Sequence, residues 1–469
     1  MVATGASPEQ PRNAGAAADV ATTANAAQPG NSRLNQAAPA NTRLGELWRI
    51  LPEEAGVNSL GELEIGGRSV PALASEFGTP LHVYDEAGLR RQLRRFVDGL
   101  RARWPRSEVL FASKSFPAVA MYRLAAEEGL AIDVAGGGEL QLALAAGVPA
   151  DRIYVHGNAK TEAELEMALA AGVGTIIVDN TDELDRLERL LPLRASGQRQ
   201  RLLLRVIPGI EVVTHASQAT GGAKSKFGLP IEQAQAAIER MRANPLMEFE
   251  GIHLHIGSQI LDTESFAQAV QAISTAGSYD CYDVGGGLGV AYTYNEHAPS
   301  VDNYLDAIVA AATRWLPAEA KLMIEPGRSL VARAGVTVYR VTSVKRTGET
   351  FVAVDGGMAD QLDIALTQQR YEAVLANRML EPWTETAQLV GRQCESGDLL
   401  VDQAQLPEAH VDDVLVMPAT GAYAYTMSNN YNGALKPAIV FVRDGVAKLV
   451  VQRESYADLL RPHAPALQK

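Results

Sequence analysis

Cysteine is nearly absent. Cys281 and Cys394 are the only two in 469 residues, which excludes a disulfide framework and leaves each thiol to be explained singly. Long apolar runs are missing as well: none approaches the roughly 18 to 20 residues that cross a bilayer, and the N-terminus has no apolar core of a secretory signal. The chain is therefore expected in the cytoplasm, off the membrane. Nor is there an excess of positive charge, since 42 Lys and Arg stand against 55 Asp and Glu, a net −13. Such a chain has no global field for a polyphosphate, so nucleic acid is not an expected partner.

What is present is an ordinary globular composition, 47% hydrophobic and 21% charged, which excludes collagen-like, coiled-coil and largely disordered classes. The length suits a large α/β domain plus a second domain. Residues 1–42 differ from the rest: they hold 13 Ala, four charged side chains and no aromatic residue. They cannot bury enough apolar surface to offset their ordering entropy, which predicts a disordered tail. Residues 43–80 read as an N-terminal extension.

From Leu81 short β-rich runs alternate with amphipathic stretches. Eight strands are expected, ending near Ser113, Val134, His156, Val178, Ile207, Ile256, Val284 and Glu325, with helical-period segments such as EAELEMALAAG between them. An eightfold β-then-α alternation predicts a (β/α)8 barrel over 81–334. Beyond Gly335 helical periodicity fades and VTVYRVTSVKR, FVAVDGG, DVLVMPA, PAIVFVR and AKLVVQR predict a separate C-terminal β-rich domain, 335–469, into which LHVY at Leu81–Tyr84 is expected to pair.

In such a barrel chemistry sits where strands end and βα loops begin. Lys114 follows the first strand in FASKSFP; partly desolvated there, its amine suits imine formation with a carbonyl cofactor, the bland alternative being a solvated loop lysine. His253 and His255 of GIHLHIGSQ share a face. With no acidic or cysteine ligand cluster nearby in sequence, no metal site is expected, and an imidazole laid on an aromatic ring or a satisfied core histidine is the reading. The seventh strand runs into DVGGGLG, whose Gly285, Gly286 and Gly287 remove side chains that keep backbone N–H groups from a phosphate, at the loop where barrels of this class bind one. The eighth ends in EPGR. Arg328 suits a phosphate or a substrate carboxylate, and Glu325 suits a protonated heterocyclic nitrogen; the alternative is a surface salt bridge. Lysine, imidazole, glycine cradle, acid and arginine at one rim are together the parts for pyridoxal 5'-phosphate.

The segments FASK, DVAGGGEL, HGNAKT, SKFG, HLHIGSQI, DVGGGLG, EPGR, VDGGM, CESGD and GAYAYTMSNNYN occur in the order seen in diaminopimelate decarboxylases, and the chain resembles that family from about Leu81 to Leu460. The resemblance implies a barrel like that of alanine racemase, a C-terminal β domain, and a homodimer with active sites between subunits. It implies decarboxylation of meso-2,6-diaminopimelate, a small amino-acid substrate, to L-lysine. By position, Lys114 resembles the Schiff-base lysine, His255 the residue stacked on the cofactor ring, and Ser258 a nearby polar contact. Gly285 to Gly287, Gly327, Arg328 and Tyr423 match cofactor-binding positions, Glu325 matches the partner of the pyridine nitrogen, and Arg328 and Tyr423 also border the substrate. Cys394 resembles the general acid that reaches in from the second subunit and Glu395 the carboxylate that reads the substrate's distal amine, while Cys281 is assigned to packing.

One departure stands out. Where the family has Arg-Pro-Ala-Leu-Tyr after VDGGM, with Arg and Tyr on the far carboxylate, this chain has Asp363 to Thr367 in place of that segment. A carboxylate there would repel a second substrate carboxylate if the loop geometry were kept. Asp363 suits lysine or ornithine better, so a decarboxylase of another basic or natural-product amino acid is an alternative, as is a silent cofactor-binding homologue. A racemase would need acids on both faces of the α-carbon, a part not assigned to Tyr423 or Tyr425.

Overall fold

The computed structural model describes residues 44–194, 197–209, 222 and 225–467. The tail expected over 1–42 lies outside the described residues. The first long strand, β1 (Leu81–Asp85), is followed by helix α1 (Glu86–Arg103). Asp85 caps α1 by accepting from the Gly88 N–H, and Leu89, Leu93, Phe96, Val97 and Leu100 bury one stripe of it.

Eight parallel strands follow: β2 (Ser107–Ala112), β3 (Ala131–Val134), β4 (Ile153–Val155), β5 (Thr175–Val178), β6 (Gln200–Ile207), β7 (Met247–His253), β8 (Cys281–Asp283) and β9 (Lys321–Ile324). They pair in that order and β9 pairs back onto β2, closing the barrel. Helices α2 (Val119–Glu127), α3 (Gly137–Ala145), α4 (Glu162–Ala171), α5 (Thr181–Leu190), α6 (Ile231–Ala243), α7 (Glu264–Ser274) and α8 (Val301–Trp315) form the crossovers. Their limits follow local chemistry: α4 opens on a Thr161–Glu164 capping box and closes on Gly172 in the left-handed region at φ 71°. AIDV and TIIV are buried at every position, as strands covered on both faces must be. One layer of the interior is filled by Leu110, Ala131, Tyr154, Ile177, Leu203, Cys281 and Met323. Cys281 is buried there with its sulfur 3.3 Å from that of Met323, and burial pushes its thiol pKa up.

A second, largely antiparallel sheet holds β10 (Gly335–Arg346), β11 (Thr350–Val354), β12 (Glu385–Val390), β13 (Leu399–Leu406), β14 (Val414–Met417), β15 (Ala438–Arg443) and β16 (Val446–Val451). Its main path runs β13-β12-β11-β10-β1-β15-β16. The N-terminal strand β1 is thus central in it, antiparallel to β10 and parallel to β15, which brings the C-terminal sheet against the start of the barrel. Among the described residues no helix is long and apolar enough to cross a membrane.

Candidate active site

The C-terminal ends of the barrel strands surround a cavity of ≈ 360 Å³ whose lining includes Lys114, Asp133, His156, Arg205, His255 and Glu325. Lys114 sits in a single 3-10 turn directly after β2 and is exposed rather than desolvated; its charge acts on Asp133 and His255.

Glu325, one residue past β9, is the floor of the site. His253 Nε2 stands 3.3 Å from its Oε2 and His156 Nε2 stands 3.0 Å from Oε1, the second contact being close enough for an ion pair but not aligned as a hydrogen bond. Burial opposes ionisation of Glu325, yet His156 and His253 outweigh it and hold the carboxyl well below its usual range. Burial also opposes charge on His156, where Asp133 and Glu325 prevail and raise its pKa, while burial takes His253 down to about 4. The result is an anionic carboxylate beside one imidazole that favours its proton and one that is neutral. The three donor atoms lie within 4.8 Å of one another, a set with the ligand chemistry for a divalent cation. His253 and His255 therefore part company: the first belongs to Glu325, whereas His255 Nδ1 accepts from the Gly286 N–H at 3.1 Å. That bond assigns the proton of neutral His255 to Nε2, and burial followed by the Lys114 and Arg205 charges keeps its pKa well below normal.

The glycine run has a packing reason beside the phosphate cradle that the sequence suggests. Two of its three N–H groups are engaged within the protein, Gly285 with Asp283 Oδ1 at 2.9 Å and Gly286 with His255. A Cβ on Gly285 would lie 2.5 Å from the Leu254 carbonyl oxygen, on Gly286 2.0 Å from that of Glu325, and on Gly287 2.5 Å from that of Gly257. Glycine is required because the turn packs directly on the backbones that follow β7 and β9.

Arg328, three residues past Glu325, does not line the Lys114 cavity and is 5% exposed. Its Nε donates to Ser258 Oγ at 3.3 Å, its Nη1 to the Tyr292 hydroxyl, and its Cζ sits 4.5 Å from the centre of the Tyr423 ring. Tyr423 adopts φ 66°, and its N–H donates to the Ser115 carbonyl at 2.9 Å, tying the GAY segment to the Lys114 turn. Asp363, in a one-and-a-half-turn helix (Leu362–Thr367), is buried with Oδ2 4.0 Å from Arg328 Nη1. Thr367 uses its hydroxyl on the Asp363 carbonyl at 2.7 Å. Gly327 packs on the end of β2, where a Cβ would stand 3.0 Å from that of Ala112. Cys394 and Glu395 do not line the Lys114 cavity: both are exposed, with the Cys394 N–H on Asn432 Oδ1 at 2.8 Å and the Tyr431 hydroxyl on Glu395.

Asp133, His156, Arg205 and Tyr292 are site residues that sequence reasoning did not single out. Asp133 is buried, which raises its pKa to about 7, and Arg205 stacks over Phe227 at 4.3 Å. The available signal was a polar side chain inside or just past an otherwise apolar strand, in AIDV, RIYVH and LLLRVI; Tyr292 had none.

Residues 87–332 match the family described as "Pyridoxal-dependent decarboxylase, pyridoxal binding domain". The diaminopimelate decarboxylase of Bacillus subtilis (strain 168) is 43% identical over 425 residues, covering 87% of this chain and 96% of that protein. The chain belongs to the diaminopimelate decarboxylase family. The M. jannaschii diaminopimelate decarboxylase, solved in complex with L-lysine, superposes with a TM-score of 0.80 at 29% identity, over 88% of this chain and 98% of that one. A lysine/ornithine decarboxylase of Vibrio vulnificus, 23% identical with a TM-score of 0.67 over 80% of this chain and 97% of that one, shares the fold. The chain is accordingly a pyridoxal-dependent lyase, and its residues fit that cofactor: the exposed primary amine of Lys114 and the buried carboxylate of Glu325, whose Oε1 has no hydrogen-bond partner among the described residues, line one cavity at the barrel mouth, and the buried Arg328 guanidinium follows three residues past that carboxylate.

Proposed function

We propose that this enzyme decarboxylates meso-2,6-diaminopimelate to L-lysine and CO₂, and that it does so as a homodimer. The observation that carries this reading is the convergence of Lys114, His255 and Glu325 on one cavity in a chain 43% identical to a diaminopimelate decarboxylase over most of its length. Pyridoxal phosphate, when bound, supplies the electron sink for the pair left by departing CO₂.

Each side chain then has a task of its own. Lys114 Nζ is the amine that would hold the cofactor's aldehyde. Glu325, kept anionic between His156 and His253, would hold a proton on the ring nitrogen. His255, its Nδ1 fixed by Gly286, would help to hold the ring. Arg328, Ser258, Tyr423 and the turns at Gly285–Gly287 and Gly327 hold the anionic groups of cofactor and substrate. Replacement of CO₂ by a proton at the α-carbon needs an acid, and Cys394 of the partner subunit supplies it from Sγ, with Glu395 of the partner subunit reading the distal amine. Support for the shared site comes from the exposure of both residues on their own chain, outside the Lys114 cavity.

Asp363 beside Arg328 favours a second reading, a decarboxylase of lysine or ornithine. CO₂ release measured side by side from meso-diaminopimelate, lysine, ornithine and arginine separates the two. Diaminopimelate is expected to turn over fastest and yield L-lysine; faster turnover of lysine reverses the order.

A further inference from the structure

Arg328 has one charged neighbour within ion-pair distance among the described residues, and that is Asp363. Ser258, Tyr292 and Tyr423 offer only hydroxyls or a ring face. Asp363 in turn is 2% exposed and accepts from the Tyr371 hydroxyl at 3.3 Å. A buried carboxylate is costly unless a cation compensates it, and among the described residues the geometry supplies a single candidate, the Arg328 guanidinium 4.0 Å away.

We infer that Asp363 is an internal counter-ion that neutralises Arg328 and thereby sets which far end of an amino-acid substrate the site prefers. A ligand carboxylate approaching Arg328 meets attraction from the guanidinium and repulsion from Asp363, so its net gain is small. A far-end ammonium meets the reverse and is not turned away. Asp363 acts through Arg328 as a positioning residue, and its helix places it there: the Gln361 side chain donates to Thr337 Oγ1, which donates in turn to Thr420, pinning the start of the helix to buried strand β10. This inference rests on the proposed reading of Arg328 as a residue that meets the substrate of an amino-acid decarboxylase, and adds the selectivity that this chain's own residues impose.

The test uses two ligands that share a near carboxylate and differ at the far end, pimelate with a carboxylate and 6-aminohexanoate with an ammonium. Their dissociation constants are measured on holoenzyme by calorimetry. Wild type is expected to bind 6-aminohexanoate at least as tightly as pimelate, Asp363→Asn to shift the ratio about tenfold toward pimelate, and Asp363→Glu to restore it. A ratio that stays within about twofold in Asp363→Asn, the size of a lone exposed ion pair, overturns the inference. So does a wild type that already favours pimelate, or one that binds neither ligand, and these two results need no variant. Failure of the decarboxylase reading is distinguishable, since it appears as absent CO₂ release from all four amino acids while the ligand ratio still reports on Asp363.

Discussion

The sequence contains Gly-Gly-Gly twice, at 136–138 and at 285–287, and the structure predicts opposite consequences for the same substitution in the two runs. A methyl group on Gly286 would stand 2.0 Å from the Glu325 carbonyl oxygen and 2.8 Å from its carbon, both rigid backbone atoms. To reach ordinary contact the Gly286 turn and the end of β9 must separate by more than 1 Å. That displacement breaks the Glu325 N–H bond to the Gly285 carbonyl, now 2.9 Å, and carries the Glu325 carboxylate away from His156 and His253. Overpacking of this kind costs about 1–3 kcal/mol, with about 1 kcal/mol more for the lost hydrogen bond. Gly138 lies within α3 with nothing inside 4 Å of its Cβ position, so alanine there should be neutral or stabilise by about 0.5–1 kcal/mol. Gly286→Ala is therefore expected to melt several degrees lower and to lose most of its visible cofactor absorbance and CO₂ release, with Gly138→Ala matching wild type in all three. A Gly286→Ala protein that keeps both its absorbance and its melting temperature would refute the reasoning, because the turn would then not be seated on the Glu325 carbonyl.

Two further substitutions probe the brace beneath the site and the residue assigned to proton delivery. Lys160 Nζ lies 2.8 and 2.9 Å from the two Glu183 carboxylate oxygens and 2.8 Å from the carbonyls of Ile177 and the half-buried Gly157, and since Lys160 and Glu183 are both buried, Lys160→Met should destabilise by about 3–5 kcal/mol in urea unfolding. The Lys160→Met/Glu183→Leu double variant should recover most of that loss, and equal instability of the two would show that the pair is not the source. Cys394→Ala should lower turnover at least about a hundredfold, the lower end of what a positioned acid contributes, while cofactor absorbance is retained; loss of the absorbance would show that Cys394 supports cofactor binding instead.

The barrel was legible because its strands are covered on both faces. TIIV reads as a buried, almost wholly apolar run, and AIDV and KLMI do so but for one ionisable residue each, between helices whose caps are also written locally, as at Thr161 and Gly172. Strand ends were less so: β7 stops at His253 rather than Ile256, because past that point the chain bonds to the β8 end irregularly, Leu254 N–H to the Asp283 carbonyl, and then turns to bring His255 to Gly286. Strands β12 and β13 escaped reading for a different reason. ETAQLV and LLVDQAQL mix half-buried and exposed positions, with register shifts within their pairing, so neither a clean alternation nor a continuous run marks them.

The site was legible only where a loop motif carried it. Lys114, the DVGGGLG turn and EPGR announce themselves by position after a strand, but what they touch depends on barrel closure, which brings residues some 170 apart in sequence, such as His156 and Glu325, within 3.0 Å. Asp363 shows the limit most clearly. Read along the chain it is a carboxylate in place of a guanidinium and looks like a repulsive element facing the substrate. Folded, it faces Arg328, a partner that lies 35 positions earlier, just past the last barrel strand, so its effect on a ligand is exerted by cancelling that charge. The same residue type at the same position therefore argues for a different consequence once its counter-ion is known, and charge at a binding site has meaning only as a sum over the groups that share its low-dielectric surroundings.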